Sequence, residues 1–75
     1  MTKYAQSLDA WLRDTGTSEA RLATMSDCTQ VSINRYRRAM RLPDAELAKR
    51  IEVATEGAAS YDDWRNAFLE KAGIA

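Results

Sequence analysis

The chain has 75 residues, 45% of them hydrophobic, with one proline, one cysteine, no histidine, and eleven acids balanced by eleven bases. That length gives one small domain, near the size at which a core holds a fold without metal or disulfide staples. The apolar content argues against disorder and no apolar run approaches membrane-spanning length, while a lone Cys28 without histidine excludes an internal disulfide, a zinc framework and a Cys/His catalytic pair.

The opening "MTKYAQSLDAW" lacks the basic start and continuous apolar segment of a secretory signal, so a cytoplasmic location is expected. Tyr4, Leu8, Trp11 and Leu12 recur at helical spacing and Gly16 stops the pattern, which predicts a first helix over about 3–15. Thr17 or Ser18 can cap a second helix, with Leu22, Ala23 and Met25 on its apolar side and an end near Ser26. Asp27-Cys28-Thr29 is a break, after which Thr29 can cap a third helix over about 30–39 with Ile33, Tyr36 and Met40 along one side. Pro43-Asp44 starts a fourth, with Leu47, Ile51 and Ala54 inward and Gly57 just past its end. Ser60 and Asp63 have capping-box spacing and open a fifth helix carrying Tyr61, Trp64 and Phe68. The expectation is an all-α domain of five short helices, with no internal repeat and no linker that would divide it.

The neutral total conceals segregated charge. Residues 1–28 carry Lys3, Arg13 and Arg21 against Asp9, Asp14, Glu19 and Asp27, a balance of about −1. Residues 29–43 carry Arg35, Arg37, Arg38 and Arg41 with no acid, and residues 44–75 balance to about −3. At 100° per residue, Ile33, Tyr36 and Met40 share one side of the third helix, while Val31, Asn34, Arg35 and Arg38 share the other and Thr29 and Gln30 lie at its start. Asn and Gln can make paired bonds to adenine, Arg to guanine, and Val or the Thr methyl can touch the thymine methyl in a major groove. Thr29, Gln30, Val31, Asn34, Arg35 and Arg38 are therefore the candidate base-reading residues. Arg37 on the flank, Arg41 in the loop beyond and Ser18 at the start of the second helix are the candidate phosphate contacts, and Arg38 could serve either role.

The run "LATMSDCTQVSINRY" resembles the helix-turn-helix of the Cro and phage-repressor (Xre-like) family. Leu22, Ala23, Asp27, Cys28, Thr29, Ile33, Asn34-Arg35 and Tyr36 stand at the places of that family's pattern. "RRAMRLPDAELAKRIEVATEG" is similar to the basic loop, proline and closing helix that follow it, so the likeness covers roughly residues 7–57. It implies a single helix-turn-helix DNA-binding domain over 1–75 acting as a transcriptional regulator. A homodimer would occlude a promoter on a palindromic operator. Asp27 departs from the family's usual glycine at a turn that needs a left-handed backbone, which Asp tolerates better than most residues. Cys28 stands where the family buries a small side chain, so a core thiol is expected there. Residues 58–75 have no counterpart in the likeness and are left two readings, a dimerisation helix through Trp64, Phe68 and Leu69 or a cap on the core.

An enzyme is not expected, because the chain has no glycine-rich phosphate loop, nucleophile elbow or metal-ligand spacing and Asp62-Asp63 point to different sides of a helix. Neither a cofactor, a metal, a small-molecule ligand nor a membrane is expected as a partner; double-stranded DNA and a second copy of the chain are. The alternative from another class is a protein-interaction module, such as an antitoxin or assembly adaptor that keeps the helix-turn-helix shape. A third is an architectural DNA binder that bends its site.

Overall fold

The computed structural model describes residues 2–73. It is all-α, with five helices: α1 (Lys3–Thr15), α2 (Glu19–Ser26), α3 (Gln30–Arg37), α4 (Ala45–Ala54) and α5 (Tyr61–Lys71). Each starts where a short polar side chain accepts a bond from a backbone N–H three residues on: Thr2, Ser18, Thr29, Asp44 and Ser60, at 2.8–3.2 Å. Ser18 rather than Thr17 caps α2. Asp63 does not close its box back onto Ser60; its carboxylate lies 3.8 Å from Lys3 Nζ, and the Glu52 carboxylate takes the Tyr61 N–H at 3.1 Å.

Helix ends explain two departures from the expected pattern. α3 stops at Arg37, not 39, because Ala39 turns left-handed (φ 58°) and the Met40 N–H returns to the Arg35 carbonyl at 2.9 Å. Met40 thereby leaves the helical repeat and is 61% exposed rather than in line with Ile33 and Tyr36. After α4 the first left-handed residue is Glu56 (φ 55°), with Gly57 one further on closing the turn onto the Glu52 carbonyl at 2.8 Å.

Asp27 takes the left-handed conformation the sequence requires of it (φ 57°, ψ 51°), and the Cys28 N–H bonds the Ala23 carbonyl at 2.9 Å. Its carboxylate has no bonding partner among the described residues. Asp27→Gly and Ala39→Gly are therefore each expected to leave the fold unchanged or stabilise it by up to about 1 kcal/mol, read as the urea midpoint of unfolding. A loss above about 2 kcal/mol at Asp27 would reveal a side-chain role that this geometry lacks.

Tyr4, Leu8 and Leu12 of α1, Leu22 and Ala23 of α2, Ile33 and Tyr36 of α3, Leu47, Ala48 and Ile51 of α4, and Trp64 and Ala67 of α5 form one core. Trp11, Cys28 and Ala54 are half-buried and pack against it. Met25 does not join it: Leu22 and Ser26, one turn apart, take the inward positions of α2 and leave Met25 exposed. α3 packs against both α1 and α2, α2 also against α4, and α5 closes the domain against α1 and α4. The Trp64 indole N–H donates to the Pro43 carbonyl at 2.8 Å and its ring stacks with Phe68, centroids 5.5 Å apart. Residues 58–71 are thus tied to the core through Trp64 and Ala67, whereas Phe68 is 48% exposed. No helix among the described residues is long and apolar enough to cross a membrane.

Candidate nucleic-acid interface

Ile33 and Tyr36 anchor α3 from beneath, which turns the opposite side of the helix toward solvent. Gln30, Arg35 and Arg38 are exposed, and Val31 is 58% exposed. Arg35 and Arg38 have no acid partner among the described residues. Thr29 is exposed, but its hydroxyl is engaged by its own helix, accepting from the Ser32 N–H at 3.2 Å and meeting Ser32 Oγ at 2.9 Å.

Two of the candidate residues are tied inward. Asn34 is half-buried and its Nδ2 donates to Glu19 Oε2 at 3.0 Å. Arg37, expected against phosphate, is instead drawn between two carboxylates. Its Nε donates to Asp9 Oδ1 at 2.7 Å and its Nη1 to Glu19 Oε2 at 3.1 Å, with the side chain only 20% exposed. Burial opposes that charge, but the hydrogen bonds and charges of Asp9 and Glu19 outweigh it, so the guanidinium pKa lies above its ordinary value. Asp9 also receives Arg13 Nε at 2.9 Å, so one carboxylate joins α1 to α3. This network orients α3 against α1 and α2, and Arg37 is part of the support beneath the outward row.

The remaining candidates flank that row. Ser18 is exposed at the start of α2, where its hydroxyl accepts from the Arg21 N–H at 3.0 Å. Arg21, one turn further, is exposed and without an acid partner among the described residues, a free cation that the acidic balance of residues 1–28 conceals. Arg41 is exposed in the loop after α3 and has no acid partner among the described residues. Cys28, in the turn between α2 and α3, is half-buried; burial pushes its thiol pKa up, Arg50 opposes this and Asp27 adds to it. That environment favours the neutral thiol, a packing side chain rather than a nucleophile.

The described surface thus presents, along and around one short helix, an amide, an exposed valine and arginines without counter-charges. Such groups can bond to base edges and to phosphates. No family model, curated protein or solved structure matches this chain.

Proposed function

We propose that this chain is a sequence-specific, double-stranded DNA-binding regulator of transcription that works as a Cro-like repressor in the cytoplasm. α2 and α3 act as its helix-turn-helix: α3 enters the major groove, α2 crosses the backbone, and a homodimer covers two half-sites of a palindromic operator. The observation that carries this reading is the contrast among the arginines of α3. Arg37, which turns inward, is neutralised by two acids, while Arg35 and Arg38, which turn outward, have none. Unpaired cations beside Gln30 and Val31 suit a polyanion whose bases are to be told apart. The likeness of residues 7–57 to the Cro and phage-repressor pattern supports the same reading.

Selection of bound sites from a random duplex pool, followed by titration of the winner, tests it. The selected sites are expected to be inverted repeats with half-site centres about 10 base pairs apart or a multiple of that. With about four phosphates neutralised, affinity is expected to fall roughly a hundredfold between about 50 and 200 mM salt. An asymmetric site contacted by one chain overturns the dimer, and affinity indifferent to salt overturns the DNA reading.

A protein-interaction module is the second reading, favoured by one specific feature. Met25 and Val53, both exposed, line an open groove of about 350 Å³ between α2 and α4, beside Lys49 and Arg50. Such a chain would bind a protein through that groove and would lack salt-sensitive affinity for DNA.

A further inference from the structure

Arg41 has a neighbour that linear charge order hides. The loop after α3 and the last turn of α5 border two clefts, of about 540 and 320 Å³, and Arg41, Leu42 and Lys71 line both. Lys71 belongs to the acidic end of the chain, yet the packing of α5 against α1 and α4 brings it back beside the basic loop. Arg41 and Lys71 are exposed, and neither has an acid partner among the described residues.

The larger cleft runs beside the helix proposed to read bases, with Ser32 and Tyr36 of α3 on one wall and Phe68 of α5 on the other. Asp44 also borders it, but as the cap of α4, its carboxylate accepting from the Leu47 N–H at 2.8 Å. Glu70 borders only the smaller cleft. Phe68 and Lys71, three residues apart, share a face of α5. Two unpaired cations separated by the apolar surfaces of Leu42 and Phe68 match a strand in which anionic phosphates alternate with sugars, and their summed field favours it over a single small anion.

We propose that the larger cleft is a backbone subsite in which Lys71 and Arg41 together hold the phosphates flanking the bases read by α3, so that α5 is part of the DNA-binding surface. The inference rests on the proposed DNA-binding function and extends the grip beyond the helix pair.

The test compares Lys71→Ala, Lys71→Arg and Arg65→Ala in the full chain. Arg65 is an exposed, unpaired cation on the same helix that borders neither cleft, so its removal changes net charge equally. Binding to the selected site and to random duplex is followed by fluorescence anisotropy at two salt concentrations, with thermal melts to confirm that each variant is folded. Lys71→Ala, which removes one phosphate contact from each protomer of the dimer, is expected to weaken both duplexes about fivefold at the lower salt, to reduce the salt slope by about two units and to leave base preference unaltered. Lys71→Arg should restore binding and Arg65→Ala should bind as the parent does. If Lys71→Ala binds like the parent, or Arg65→Ala loses as much, the subsite is overturned and the DNA-binding function stands. If the parent itself has no salt-dependent affinity for duplex, the function fails and the subsite with it.

Discussion

Trp64→Ala is expected to remove about 3–5 kcal/mol of stability. The indole is only 6% exposed, lies 4.9 Å from the Tyr61 ring and 5.5 Å from that of Phe68, and donates to the Pro43 carbonyl at 2.8 Å. Truncation opens a cavity where α5 meets the rest of the core and leaves that carbonyl without its donor. A domain of this size has roughly 4–11 kcal/mol in all, so the loss is a large fraction of the total and should appear as a much lower midpoint when helical circular dichroism is followed during urea denaturation. Phe68→Ala, at a half-exposed ring, should lose less than about 1.5 kcal/mol. If Trp64→Ala unfolds within about 1 kcal/mol of the parent, α5 is peripheral to the core.

The second large effect divides two arginines that stand two places apart. Arg35→Ala is expected to weaken operator binding by roughly 1–3 kcal/mol, to weaken random duplex much less, and to leave the unfolding midpoint within about 0.5 kcal/mol of the parent. Arg37→Ala should do the reverse. It leaves the Asp9 and Glu19 carboxylates, 26% and 17% exposed, facing each other without the cation between them, and should destabilise the fold by about 1.5–3 kcal/mol. Once enough protein is folded, operator and random DNA should keep their ratio. Measuring both variants by urea denaturation and by titration against both DNAs decides the matter. Equal effects of Arg35→Ala on every duplex, together with a change in base preference on Arg37→Ala, would mean that another face of α3 meets the groove.

Local signals in the sequence were sufficient for the helices and their starts. The hydroxyls of Ser18, Thr29 and Ser60 sit where a helix leaves N–H groups unsatisfied, and a capping bond needs only the next three residues to form. The helical repeat likewise placed Ile33 and Tyr36 inward and Arg35 and Arg38 outward. What local pattern could not supply was the partner of Arg37, because Asp9 and Glu19 lie on other helices and meet it only after packing. On a helical wheel, Arg37 occupies a flank, and nothing in the wheel says that α1 and α2 fill that flank. The place of Lys71 is hidden for the same reason, because charge summed along the chain puts it in an acidic segment. Met40 was misplaced by a turn: left-handed alanine is rare enough that the pattern continued past Ala39, while the backbone did not.

The connections between these helices are short: the turn 27–29 separates α2 from α3, 16–18 separates α1 from α2, and the two longer loops run over 38–44 and 55–60. Chain ends so close together lose little entropy on closure, and each helix needs to find only neighbours near it in sequence or the one surface they jointly make. Helical domains with such connectivity assemble in microseconds to milliseconds. The speed at which a single chain reaches its fold after synthesis is therefore set by collapse of one small core, in a time far shorter than that needed to synthesise the chain itself.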